Sequence, residues 1–169
     1  VLAKRIDMNQ APKNPSFRQM LSRPEHFFAF GFGSGLAPKA PGTFGTLAAV
    51  PVYWLIQDLP LPLYLLWLLV TFVAGVYWCQ RSSEALGVHD HGGIVWDEMF
   101  GYWLTMLLAP AGWLWMLLGF VLFRVFDILK PWPIGWIDRR VEGGLGIMLD
   151  DALAAVYAWF LLQGLAYVL

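Results

Sequence analysis

Charge is what this sequence has least of. Of its 169 residues, 14% are Asp, Glu, Lys or Arg and 59% are hydrophobic, whereas an average soluble domain carries about 25% charged residues. So few charges cannot cover a water-soluble globule of this length, which excludes an ordinary soluble domain and a disordered chain. Eleven cations against twelve acids leave a net charge of -1. Without a basic excess to neutralise a phosphate backbone, no nucleic-acid partner is expected. Cysteine is nearly absent: Cys79 stands alone inside an apolar run, so no internal disulfide can form and the redox compartment stays open. The first 23 residues contain Pro12, Pro15 and five cations but no apolar core of the signal-peptide kind. Residues 1–25 therefore read as a loose polar arm, and 26–169 as a single membrane-embedded domain.

What the chain has instead is apolar length and aromatic rings. Ten Trp, six Tyr and twelve Phe suit membrane-interface belts. Three apolar stretches run from Phe44 to Cys79, from Met99 to Phe123 and from Ala152 to Leu169. Pro60 and Pro62 break the first, and Pro110 with Gly112 breaks the second, since proline stops a helix and the Pro/Gly pair signals a turn. The expected fold is an all-α polytopic membrane bundle of about five helices. One hairpin pairs Gly45–Gln57 with Pro62–Leu86, a second pairs Ile94–Leu108 with Gly112–Leu129, and a last helix runs from about Asp150 to Tyr167. The shorter helices span about 20–25 Å, thin for a hydrocarbon core of about 30 Å, so tilted, short or re-entrant helices are in keeping with it. Five crossings put every Lys and Arg on one side, and the turns around Asp58 and Pro110 carry none. By the positive-inside rule that side is the cytoplasm.

Four polar segments meet at that side. Gly31–Thr43 holds Gly33, Ser34, Gly35, Lys39, Gly42 and Thr43. Its backbone amides suit an anion, Thr43 can cap the next helix, and Lys39 adds a cation; a simple Pro/Gly connector explains the segment equally. Asp97 and Glu98 open an apolar helix, more acid than capping requires, and hard oxygen ligands of this kind suit Mg²⁺. His89 and His91 precede them, but two His alone do not close a zinc site, and they read as surface or supporting residues. Arg124 and Asp127 share a helix face, and Pro131 turns Lys130 into a loop. Arg124 and Lys130 suit a phosphomonoester, as a bidentate fork and a point charge. They also suit a plain ion pair and a lysine reaching for head groups. Asp150 and Asp151 follow a glycine-rich turn and open the last helix. Five carboxylates at one membrane level, Asp97, Glu98, Asp127, Asp150 and Asp151, repel unless a cation sits among them. The pattern indicates a Mg²⁺ site beside Arg and Lys, acting on a phosphorylated lipid.

Gly33–Thr43, Val95–Gly101, Phe123–Ile134 and Gly143–Asp151 resemble, in order, the motifs of the phosphatidylglycerophosphatase A family. The likeness covers about Phe28 to Tyr157, with no departure at the ionisable positions. It implies a multi-pass enzyme of the bacterial inner membrane. That enzyme hydrolyses phosphatidylglycerol phosphate to phosphatidylglycerol and phosphate with Mg²⁺, the last step of phosphatidylglycerol synthesis, at the cytoplasmic leaflet. The family's acids map onto Asp97, Glu98, Asp127, Asp150 and Asp151, as catalytic groups and metal ligands. Lys39, Arg124, Lys130, Ser34 and Thr43 are the expected phosphate contacts. The expected partners are the phospholipid substrate and the membrane, with the oligomeric state open. CDP-alcohol phosphotransferases need an Asp-Gly-x-x-Ala-Arg core that is missing here. Lipid phosphatases with a catalytic His need one after basic motifs, and all three His precede Gly92. A small transporter or assembly subunit with an acidic ion path is the remaining alternative, although no repeat is visible.

Overall fold

The computed structural model describes residues 16–88 and 91–169, and within them the chain is all-helical. Eight helices follow one another: α1 Phe17–Leu21, α2 Pro24–Ala29, α3 Pro41–Ile56, α4 Leu61–Leu86, α5 Trp96–Thr105, α6 Trp113–Leu129, α7 Ile134–Asp138 and α8 Gly143–Val168. A 3₁₀ turn over Gly31–Leu36 joins α2 to α3. Residues 1–15 of the expected arm, and His89, lie outside the described residues. Within the arm Phe17–Leu21 forms a short helix that buries Met20, while Phe17, Arg18 and Leu21 stay exposed.

Proline and glycine set the helix limits as their chemistry requires. Pro41 and Pro24 occupy first turns, where the missing N–H has no intrahelical partner to lose. Gly87 closes α4 in the left-handed region. Two helices, α4 and α8, are long and apolar enough to cross a membrane. At 1.5 Å per residue, the ten-residue α5 is only about 15 Å long, half a hydrocarbon core and shorter than expected. Leu108 takes a positive φ just beyond it and ends the run.

Hydrogen bonds between helices fix their directions. Trp103 at the end of α5 donates its indole N–H to the Ala49 carbonyl of α3 and accepts from the Tyr64 hydroxyl at the start of α4. Trp159 and Gln163, late in α8, both donate to the Leu107 carbonyl. At the opposite end, Gln80 late in α4 accepts the Gly144 N–H at the start of α8. Helices α3, α5 and α8 thus run one way, α4 and α6 the other. The turns at 57–60 and 106–112 share one end.

Both expected hairpins are antiparallel; α5 packs on α6, where the Tyr102 hydroxyl donates to the Met116 carbonyl, but the first hairpin is not a packed pair. α3 packs on α5 and hardly on α4, because Trp103 and Trp67 fill the space between them. α8 lies centrally, against α4, α5, α6 and α7. Its Ala154, Ala155 and Ala158 are fully buried, small side chains that let helix backbones approach. The outward faces are apolar instead: Leu65, Leu69 and Val73 of α4 are about half exposed or more, which suits lipid rather than water.

α8 also corrects an expectation. It begins at Gly143, with Glu142 before it, so Asp150 and Asp151 lie two turns inside it and cap nothing. The glycine-rich stretch is helix, and it is glycine at 143 and 144 because α4 leaves no room for side chains there. A Cβ on Gly144 would fall 2.1 Å from the Val76 carbonyl oxygen.

Candidate active site

The end of the bundle opposite the 57–60 turn gathers the polar residues. α5 delivers Asp97 and Glu98 in its first turn, after a bend at Gly92 and Gly93. That bend is held by the loop before α3. A Cβ on Gly35 would meet the Gly93 carbonyl oxygen at 2.0 Å, and the Val95 N–H donates to the Ala29 carbonyl at 2.8 Å. α6 brings Arg124 and Asp127 to the same level. Lys130 ends α6 in the left-handed conformation, φ 40°, and Pro131 prevents continuation, so the lysine turns inward. α8 supplies Asp150 and Asp151 from its buried face.

All five carboxylates and Lys130 line one cavity of about 210 Å³, with Asp138, Val141 and Ile147 among its other walls. Asp97, Asp127, Asp150 and Asp151 are each less than a tenth exposed. The acids fall into two sets. Asp97, Glu98 and Asp151 each direct one carboxylate oxygen into a common space, those atoms lying within 4.8 Å of one another. Asp97 Oδ1, Glu98 Oε2 and Asp151 Oδ2 are buried and accept no hydrogen bond. Buried carboxylate oxygens are costly without a donor or a cation, and an all-oxygen set of this kind fits a hard divalent cation. The second set surrounds Lys130, whose ammonium lies 2.6 Å from Asp150 Oδ2 and 2.8 Å from Asp138 Oδ1. Burial alone would lower its pKa, but hydrogen bonds and charge from Asp138 and Asp150 outweigh that and raise it above the usual lysine range. Lys130 therefore remains an ammonium and serves as a fixed charge rather than as an acid.

Arg124 stands between the sets and the helix surface. Its Nη1 is 2.5 Å from Asp127 Oδ2 and 4.0 Å from Glu98 Oε1. Its Nε is buried with no acceptor, an unmatched donor beside an acidic cavity.

Ser34, Lys39 and Thr43 do not line the cavity. Ser34 Oγ donates to the Gly31 carbonyl at 2.8 Å. The amides of Gly33 and Gly35 are bonded to the Phe30 carbonyl, and that of Ala37 to Ser34, so these three are not available to an anion. Lys39 is exposed. The helix cap expected of Thr43 falls instead on Ala40, a backbone cap without a side-chain bond, because Pro41 starts α3 two residues earlier. The segment acts through Gly42, whose hypothetical Cβ would lie 2.2 Å from Glu98 Oε1 and 3.1 Å from Arg124 Nη1. His91 is buried rather than at the surface, and its Nδ1 accepts the Gly93 N–H. Sequence reasoning missed Asp138, the second partner of Lys130. Its only signal was its place in the polar loop after Pro133.

Comparison with known proteins shows the family of the chain. The family described as Phosphatidylglycerophosphatase A matches residues 27–166, a span that holds all of the groups above. The protein of that name from Escherichia coli K12 is 51% identical over 140 residues, covering 82% of this chain and 81% of its own. Its namesake from Haemophilus influenzae is 44% identical over 156 residues, 91% and 96% of the two chains. A relative from Bacteroides thetaiotaomicron, 37% identical over 165 residues (93% and 99%), is named, provisionally, a phosphatidylinositol-3-phosphatase. No solved structure matches significantly. By the extent of these matches, the chain belongs to the phosphatidylglycerophosphatase A family.

Proposed function

We propose that this protein hydrolyses the phosphomonoester of phosphatidylglycerol phosphate to phosphatidylglycerol and inorganic phosphate, using Mg²⁺, at the cytoplasmic leaflet of a bacterial inner membrane. The substrate is read from the names of the relatives. The chemistry rests on one arrangement: Asp97, Glu98 and Asp151 each bring a carboxylate oxygen within 4.8 Å of the others, and each carries a buried oxygen without a hydrogen bond, near an arginine and a lysine. A multi-pass arrangement with this end inward is supported by the cation-free turns at 57–60 and 106–112 and by Lys39, Arg81, Arg139 and Arg140 in the opposite loops and helix ends.

Asp97, Glu98 and Asp151 would hold the metal, with Asp127 and Asp150 alongside. When bound, the ion would lower the pKa of a water and neutralise charge developing on the phosphate. The chain's own residues do the rest. Arg124 Nε–H takes a phosphoryl oxygen, its guanidinium already oriented by Asp127. Lys130 holds a second oxygen as a point charge. A carboxylate of the cluster accepts the proton of the attacking water as oxygen bonds to phosphorus and the bond to the glycerol oxygen breaks. The glycerol oxygen then takes a proton and leaves as the alcohol of the product lipid.

The test is phosphate release by purified protein from phosphatidylglycerol phosphate, phosphatidic acid and phosphatidylinositol 3-phosphate, each with Mg²⁺ or chelator. Turnover of the first substrate with Mg²⁺, and greater than that of the other two, is expected. Faster release from either of the others would transfer the assignment to that head group, and no release from any would end it.

A further inference from the structure

Two apolar hollows lie on the outer face of α6. One, of about 310 Å³, is bounded by Leu47 and Val50 of α3 with Trp113, Leu117 and Phe120. The other, of about 340 Å³, is bounded by Phe120, Val121, Val125 and Ile128, with Arg124 in its wall. Phe120 belongs to both, so they form one track along the helix. Its part beside Leu47 and Val50 exists because α3 and α6 meet only sparingly. Leu117, Val121, Arg124 and Ile128 recur at the spacing of a single helix face.

We propose that this track seats an acyl chain of the lipid substrate, with Arg124 as the junction between chain and head group. The proposal rests on the reading of the cavity as a lipid phosphomonoesterase. Three observations favour that occupant. Arg124 belongs to both places: it forms part of the apolar track, and it is ion-paired to Asp127 and Glu98, which line the acidic cavity. The track is almost wholly apolar, and Arg124 lines it only with its apolar stem while its guanidinium turns to Asp127 and Glu98. Its length fits as well. From Arg124 to Trp113 is eleven residues, about 17 Å of helix, close to the roughly 15 Å depth of one leaflet's hydrocarbon. A chain lying there would run from the cavity's level along α6 toward Trp113 without leaving the protein surface. The head would enter beside Arg124, and the phosphate would reach the unpaired Nε–H from within.

Filling the track tests this. Val121→Trp and Leu117→Trp replace side chains already about half exposed, so the fold has room for them. Leu69→Trp on the exposed face of α4 serves as control. Each protein is assayed in mixed micelles with long-chain and short-chain phosphatidylglycerol phosphate. Both track variants should raise KM for the long-chain lipid about tenfold, the equivalent of losing contact with roughly two methylenes. KM for the short-chain lipid and kcat for both should stay within about twofold, and the control should behave as wild type. Equal losses on both lipids, no loss on either, or the same selectivity in the control would overturn the proposal. Failure of the underlying reading is distinguishable: wild type then releases no phosphate from either lipid. A turnover-independent arm covers that case. A long-chain phosphatidylglycerol phosphate with a photoactivatable chain should label 113–129 in preference to α4, and phosphatidylcholine carrying the same chain should not. Equal labelling by the two lipids would mean bulk lipid and would contradict the proposal.

Discussion

Gly42→Ala separates position from stability. The added methyl would arrive 2.2 Å from Glu98 Oε1, about 1.2 Å short of the 3.4 Å at which ordinary contact begins. The backbone of α3 is fixed there by Pro41 and by packing on α5, so the carboxylate retreats. It is the far end of a flexible side chain, and the fold survives its movement. A displacement near 1 Å within a reacting constellation costs about 10²-fold in rate, or about 2.7 kcal/mol of barrier. Stability should move the other way, because alanine inside a helix is favoured over glycine by roughly 0.5–1 kcal/mol. The assay is phosphate release together with thermal unfolding in the same detergent, with Gly164→Ala as control, a helical glycine with nothing near its Cβ. The expected result is turnover lowered about 100-fold at an unchanged or slightly higher Tm, with the control unaffected. Wild-type turnover in Gly42→Ala would refute the placing of Glu98 in the site. A large fall in Tm would refute the claim that only the carboxylate yields.

Other outcomes follow from the same contacts. Asp127→Asn removes the anchor of Arg124 and should lower turnover by at least about 100-fold while the protein stays folded by circular dichroism; a wild-type rate would remove Asp127 from the site. Lys130→Met leaves the buried Asp150 carboxylate without this cation. Because Lys130 is part-exposed, the expected loss is about 2 kcal/mol, below the range for a fully buried pair. Adding Asp150→Asn should restore much of that in a double-mutant cycle, and additive losses would contradict the pairing. His26 is buried against Ser82, its Nδ1 2.6 Å from the hydroxyl oxygen, and burial lowers its pKa from 6.5. Below about 6.5 the unfolded chain binds a proton that the folded chain refuses, so stability should fall as pH drops through that point. In denaturant titrations His26→Gln should flatten that slope, and an unchanged slope would exclude His26 as its source.

Much of the site could be read from the sequence because its acids sit where acids are rare. A pair at the head of an apolar helix, as at Asp97 and Glu98, stands out against leucine and tryptophan. Arg124 and Asp127 share a face whatever surrounds them. What escaped depends on tertiary contact. Gly143–Gly146 reads as a turn from composition, yet it is helix, and its first glycines answer to the close approach of α4 at Val76 and Gln80. Ser34 and Lys39 sit in a segment that reads as an anion loop, but its amides at Gly33, Gly35 and Ala37 close on their own carbonyls. The same segment's contribution through Gly42 is a matter of proximity, which spacing cannot express. Asp138 was hidden in a five-residue helix after Pro133, where no periodicity is long enough to show a face. The hairpins were legible from their prolines, but the insertion of Trp103 between α3 and α4 was not.

The central claim is that the cavity of Asp97, Glu98 and Asp151 works on a lipid phosphate with a divalent cation. Its most direct test is phosphate release from phosphatidylglycerol phosphate by purified, chelator-stripped protein titrated with Mg²⁺. Release absent in chelator and restored in proportion to added Mg²⁺ is the result expected. Equal release with the metal removed would contradict it.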